Sequence, residues 1–299
     1  MTTVAEAIAA LSVQLGPPSS DPVPLVGGIT NRNYRLRWAG RDCVLRLPGK
    51  HTGLLGIDRV AERDATRAAA GIAPEVVAFD AGLGCLVTLF IEGRPVDAAE
   101  LSGPLLAEAA GALRSIHAGP PLAWTFSPWD RVDAYRVTAL RRQMPLPAGF
   151  DEVDRAADRI AEALGARPSV PCHNDLLTAN FLHDGERLRI LDWEYAGMGD
   201  PYFDLANLAS NHEFGDAEEE RLLAAYHGEP PGPERLAALR LLRLMAAFWE
   251  AMWAVVQSAV SELDFDFAGY AAEHLARVRE RLHDPRFESW LHDARCVAS

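Results

Sequence analysis

The sequence predicts an α+β, bilobal chain: residues 1–92 form an N-terminal antiparallel sheet lobe with one main helix, and residues 93–299 a larger, mainly helical C-terminal lobe. Three observations lead there. Short β-type runs separated by turn residues crowd the first part. Helix formers at three- and four-residue repeats fill most of the remainder, and one β-rich island interrupts the helices around residues 181–191.

The N-terminal MTTVAEAIAALSVQL is an Ala-rich amphipathic segment without the basic leader of a secretory signal. Tyr34–Trp38 and Cys43–Leu47 read as strands joined through Ala39-Gly40-Arg41-Asp42, a hairpin by composition. Asp58 is placed to cap a helix with Ile57, Val60, Ala61, Ala65 and Ala68 at helical spacing, and Gly71 supplies its stop. Val76–Phe79 and Cys85–Phe90 read as two further strands around Asp80-Ala81-Gly82-Leu83-Gly84. Glu92-Gly93-Arg94-Pro95 breaks the pattern and marks a hinge. Helices are expected over Ala98–His117, Val132–Gln143 and Glu152–Leu164. In the island, Phe181–His183 and Leu188–Leu191 flank Asp184-Gly185, a strong hairpin signal. Helices resume near Tyr202–Ala209, Ala217–Tyr226, Pro233–Ser261 and Phe267–Leu282.

Bulk properties narrow the function. A chain of 299 residues, 49% hydrophobic, can bury a full core. Its net charge of −13 opposes nucleic-acid binding, which needs a surplus of Lys and Arg, and weakly favours a cationic small molecule. The four cysteines, Cys43, Cys85, Cys172 and Cys296, lack zinc spacing, as expected of a reduced cytoplasmic protein. No run reaches the roughly 18 apolar residues of a membrane span, so no membrane insertion is expected. Oligomeric state leaves no signature.

The most informative stretch is His173-Asn174-Asp175-Leu176-Leu177-Thr178-Ala179-Asn180, which leads into a hairpin whose second strand ends at Asp192. Taken singly, Asp and Asn beside a loop are turn formers. Together they match what phosphoryl transfer requires. One carboxylate, Asp175, accepts the proton of the attacking hydroxyl, while the Asn180 amide oxygen and Asp192 hold Mg²⁺ against the phosphates of ATP. The hairpin would bring Asn180 and Asp192 together across neighbouring strands.

CHNDLLTANFL, ILDWEYAGMGDPYFDLANL and MWAVVQSAVSELDFDFAGYAAEHL resemble the choline/ethanolamine kinase family, part of the aminoglycoside phosphotransferase-like group with a protein-kinase-like fold. VGGITNRNYRL, CVLRLPG and IDRVAERDA extend the resemblance, which covers roughly residues 24 to 285. Membership implies an ATP-dependent kinase of a small amino alcohol with catalytic Asp175 and metal-binding Asn180 and Asp192.

Between the first strands, Gly28, Thr30, Asn31 and Asn33 offer close backbone approach and polar donors to a phosphate, where the family uses a short glycine loop. Arg46 stands on a strand where protein kinases place a phosphate-gripping Lys, and Glu62 on the following helix is its natural partner. Leu89 and Ile91, either side of Phe90, would present backbone groups to adenine. Asp204 begins an apolar helix, either as its cap or as a tie for the catalytic loop.

For the acceptor, Trp193, Tyr195, Trp249, Trp253, Phe265, Phe267 and Tyr270 are rings that would attract an ammonium, with Glu194 and Glu250 as nearby acids. At helical spacing such rings also serve as core. The resemblance carries Trp253, Phe267 and Tyr270 onto the family's choline cage. The chain departs from the family pattern at Glu250, where eukaryotic members have the first Trp of Trp-x-x-Trp. It also departs at Asn211, with Glu213 just beyond, where an acid is common. Choline or ethanolamine is the expected acceptor; thiamine, an aminoglycoside, or a non-catalytic nucleotide-binding module stand as alternatives.

Overall fold

The computed structural model describes residues 2–25, 31–261 and 265–295. The chain divides into two compact units, Met1–Val96 with Ala179–Ala196, and Asp97–Thr178 with Gly197–Ser299. The first break falls after Val96, against the expected 92, and the β-rich island joins the unit of the N-terminal sheet.

In chain order, α1 (Val4–Leu15) precedes β1 (Val23–Pro24), β2 (Arg32–Trp38) and β3 (Arg41–Leu47). Next come α2 (Arg59–Ala68), β4 (Val76–Asp80), β5 (Cys85–Leu89) and β6 (Arg94–Pro95). Helices α3 (Ala98–Ser102), α4 (Leu106–His117), α5 (Pro128–Arg141) and α6 (Phe150–Leu164) follow. Then come β7 (Val170–Cys172), a 3₁₀ turn at Thr178–Asn180, β8 (Phe181–His183), β9 (Leu188–Ile190) and β10 (Gly197–Gly199). Last are α7 (Pro201–Asn211), α8 (Asp216–His227), α9 (Pro233–Val260), α10 (Phe267–Leu282) and α11 (Phe287–Arg295).

In the first unit, β1-β2-β3-β5-β4 form an antiparallel sheet among the described residues. Two-residue alternation sends Leu36, Trp38, Cys43, Leu45 and Leu47 to one face, where Ala7 and Leu11 of α1 cover them. The amphipathic N-terminal segment is therefore a core-covering helix. A Thr3–Glu6 capping box starts it, and the Trp38 indole N–H fastens its end by donating to Gly16 O at 2.7 Å. The alternate residues of β3, Val44 and Arg46, necessarily project from the other face.

Asp58 caps α2 as the sequence suggests, its carboxylate accepting the Val60 and Ala61 N–H groups. The helix ends at Ala68, however, and Gly71, at φ +89°, lies in the turn beyond it. The β8–β9 hairpin pairs with β6. Its turn is closed by the Asp184 carboxylate, which accepts the Glu186 and Arg187 N–H groups. The Arg189 guanidinium then donates to Ile72 O and Ala73 O at 3.0 and 2.8 Å, pinning the hairpin behind α2.

The second unit is built on α9, 28 residues long and largely buried, against which α5, α7, α10 and α11 pack. Gly103 and Pro104 split the helix expected over 98–117 into α3 and α4, because proline has no N–H and fixes its own φ. Among the described residues no helix is long and apolar enough to cross a membrane.

Candidate functional site

In the second unit, Asp175 sits on an irregular loop bracketed by β7 and β10, which pair as Cys172↔Gly197 through Val170↔Gly199. Gly197 fits closely there: an added Cβ would press on the backbone at Thr125 and Phe126 at 3.2–3.3 Å. The loop makes no regular ladder, so its buried N–H groups need other acceptors. Helix α7 supplies them. Asp204 accepts His173 N–H at 2.9 Å and Asn174 N–H at 2.6 Å, and Asn207 accepts Leu176 N–H at 2.6 Å. The His173 ring, through Nδ1, accepts Asp175 N–H at 3.2 Å.

Asn174 takes φ +69°, a left-handed conformation that Asn tolerates better than most residues. His173 and Asn174 are fully buried and Asp175 nearly so. The cap of α7 is Asp200, whose carboxylate accepts Tyr202 N–H, so the capping alternative for Asp204 falls away. Asp204 is also held by the His117 ring at 3.0 Å, and His117 in turn meets the Tyr226 hydroxyl at 2.7 Å.

In the first unit, Asn180 and Asp192 flank the β8–β9 pair, and Leu191 N–H donates to Asn180 O at 2.8 Å. Asp192 lies at φ +60°, again within the tolerance of a short polar side chain. A side-chain amide oxygen and a carboxylate are hard oxygen donors of the kind that suits Mg²⁺. Arg46 pairs with Asp192 at 2.6 Å and with Glu62, the partner expected from sequence.

Sequence reasoning missed Arg59, which bridges Glu62 at 2.6 Å, Glu194 at 3.0 Å and the side-chain Oδ1 of Asn31 at 2.7 Å. The signal was present: Arg59 precedes Glu62 by three residues, one helical turn. Asn31 completes the cluster by donating to Glu194 at 2.8 Å. Burial, with the Asp192 charge next, raises the pKa of Glu194, against which Arg59 and Arg46 act; burial lowers that of Arg59. Glu194 is thus charge-matched within its own unit. Asn33 pairs in register with Arg46, Tyr195 is buried, and Gly28 and Thr30 lie outside the described residues.

Leu89, Ile91 and Glu92 line a cavity of about 620 Å³ with the end of α2 and the β8–β9 turn. Leu89 N–H is spent on Glu75 O and Phe90 N–H on Asp42 O. No backbone acceptor for the Ile91 N–H is found among the described residues.

The aromatic residues divide. Trp249 packs edge-on against Phe126 and Phe203 in the core, and buried Trp193 donates to Ile190 O. Trp253 instead meets Phe267 and Tyr270 at ring separations of 6.0 and 6.2 Å, and Phe265 touches both Phe267 and Tyr270. The Tyr270 hydroxyl donates to Glu250 at 3.1 Å. Burial, followed by the Glu250 charge, pushes the Tyr270 phenol well up, and the Asp175 charge adds to the rise. Asn211 hydrogen-bonds Asn207, extending the anchor of the loop.

The profile of the phosphotransferase enzyme family matches residues 21–239. Ethanolamine kinase 2 of Rattus norvegicus is 30% identical over 267 residues, covering 77% of this chain and 68% of that protein. A solved choline/ethanolamine kinase family protein from Mesorhizobium loti is 31% identical with a TM-score of 0.83, over 98% of this chain and 99% of that one. A structure of LicA in complex with AMP is 26% identical with a TM-score of 0.74, over 94% and 99% of the two chains.

Proposed function

Because the chain belongs to the phosphotransferase enzyme family and, within it, to the choline/ethanolamine kinases, we propose that it transfers the γ-phosphoryl group of ATP to the hydroxyl of a small cationic amino alcohol, choline or ethanolamine. One observation carries the acceptor half of this reading. Within a single unit, Asp175 is fixed on an anchored loop and bears electrostatically on Tyr270, which belongs to a ring cluster with a buried carboxylate. That combination suits a molecule with a hydroxyl at one end and one cation at the other.

Asp175 orients the acceptor hydroxyl and takes its proton as the oxygen attacks phosphorus and the bond to the β-phosphate oxygen breaks. Arg46 neutralises charge on the phosphates, helped by Asn31 and Asn33 and by Gly28 and Thr30. Glu62 holds Arg46 in place. Asn180 and Asp192 would hold Mg²⁺, which supplies charge neutralisation of the transferring phosphoryl group. Leu89 and Ile91 would face adenine, with the Ile91 N–H as donor. The AMP bound by LicA supports the nucleotide assignment. Trp253, Phe267 and Tyr270 attract the ammonium by about 0.5–2 kcal/mol each. Glu194 has its own arginine, so Glu250 is the acid assigned to the cation.

The test is ATP consumption with choline, ethanolamine, thiamine and kanamycin, for the wild type and Asp175→Ala. Turnover with choline or ethanolamine is expected, reduced about 10²–10⁴-fold in the variant with nucleotide binding retained. A fully active variant ends the assignment of the base. Turnover confined to kanamycin or thiamine ends that of the acceptor.

A further inference from the structure

We infer that Glu250 is the specificity determinant of the acceptor site, selecting an amino alcohol whose ammonium carries N–H bonds over its quaternary N-trimethyl counterpart; this rests on the kinase reading above.

The observation behind it is an unmatched charge. Four glutamates are buried among the described residues: Glu62, Glu194, Glu219 and Glu250. Glu62 has Arg46 and Arg59, Glu194 has Arg59, and Glu219 has Arg240 and Arg243. Glu250, only 5% exposed near the middle of α9, has the Tyr270 hydroxyl as its partner and no cation among the described residues. His274, stacked on Tyr270 at 4.3 Å, does not provide one, because burial holds its ring neutral with a pKa near 4. Burial pushes the Glu250 carboxyl up to about 7, the behaviour of an acid that lacks a positive neighbour.

Such a group is costly to keep, and Glu250 lies against the rings assigned to the cation. The two recognition elements read different things. Ring faces attract any compact cation, methylated or not. A carboxylate has about four acceptor sites, and a single phenol hydrogen bond leaves most of them unfilled. A primary ammonium brings three donors and forms short charge-assisted bonds, whereas a quaternary ammonium presents only methyl groups. Hydrogen bonds to charged groups are worth roughly ten- to a hundredfold in affinity. Glu250 therefore discriminates where the rings do not.

The experiment measures kcat/KM at pH 8 and saturating ATP for ethanolamine, N-methylethanolamine, N,N-dimethylethanolamine and choline, in the wild type and Glu250→Gln. In the wild type kcat/KM should fall along the series, by about ten- to a hundredfold in all. In E250Q the ethanolamine value should drop through KM by about tenfold or more beyond the loss for choline, which forfeits the carboxylate's charge but no hydrogen bonds. Wild-type preference for choline, or equal losses for both substrates in a folded E250Q, overturns the inference while leaving the kinase reading intact. The wild-type series decides alone if E250Q does not fold. Turnover of none of the four amines overturns the acceptor reading, and this inference with it.

Discussion

Asp204→Asn is the sharpest probe of how the loop bearing Asp175 is held. The wild-type carboxylate is fully buried and accepts from three donors: Asn174 N–H on one oxygen, His173 N–H and the His117 ring on the other. Asparagine keeps one oxygen. Its least costly orientation leaves that oxygen with the two-donor side and turns the amide nitrogen toward Asn174 N–H, so one buried donor faces another. An unmade buried bond costs about 1–3 kcal/mol, and each surviving bond loses about 1 kcal/mol when its acceptor is no longer charged. The total is about 3–5 kcal/mol, which for a chain of this size lowers Tm by on the order of 10 °C. Because the freed amide belongs to the residue before Asp175, kcat should also fall, by roughly 10–10²-fold, at temperatures where the variant is folded. Differential scanning calorimetry and ATP-coupled turnover measure the two effects. Asp200→Asn, whose side chain caps the helix and pairs with Arg167, is the control and should cost about 1 kcal/mol. An Asp204→Asn protein that melts and turns over like Asp200→Asn would refute the reasoning.

Glu62→Gln leaves Arg46 and Arg59 without a shared, nearly fully buried anion, and urea unfolding should show a loss of about 3 kcal/mol or more. Leu11→Ala opens the contact between α1 and the sheet and should cost about 2–4 kcal/mol by the same measure, leaving KM for the acceptor unchanged. Glu250 gives a pH signature. Its carboxyl goes from an ordinary 4.5 to about 7 on folding, so between those values the folded state binds the extra proton and stability falls as pH rises. At about 1.4 kcal/mol per pH unit the loss is roughly 3 kcal/mol, complete above pH 7. Relative to wild type, Glu250→Gln should gain stability from pH 5 to 8, and a difference that stays flat across that range contradicts the shift.

Periodicity exposed the sheet, the long helices and the β8–β9 hairpin, because these elements carry their burial pattern locally. The strands β7 and β10 were not visible, since three residues such as Gly197-Met198-Gly199 show no alternation and pair only across a long excursion of chain. The protein-kinase-like fold was legible from motifs. The anchor of the loop was half legible. Asp204, Asn207 and Asn211 recur at three- and four-residue spacing on a helix that is otherwise apolar, and a polar row facing inward has to meet polar groups. What it meets, the naked backbone of residues 173–176, is a tertiary fact. Arg59 escaped notice for a similar reason: its partners come from three separate segments, and only its spacing to Glu62 is local.

The signs of the two polar clusters differ in a way that supports the ligands proposed for them. In the first unit, Arg46 and Arg59 face Glu62, Asp192 and Glu194, a set with one net negative charge that a divalent ion at Asn180 and Asp192 would make positive. On the proposed reading a polyphosphate would enter together with its metal, because phosphate oxygens alone would meet an excess of carboxylate. In the second unit, Asp175 and Glu250 bear on Tyr270. Arg277, whose charge also reaches that phenol, is itself paired with Glu213 and Glu273. Among the described residues a cation finds both charge and rings there. On the proposed reading, phosphoryl donor and cationic acceptor would be sorted by electrostatics before shape is considered. Reversing the sign at Glu250 with lysine should abolish acceptor binding while leaving ATP affinity within about twofold, since no charge of the first cluster is altered.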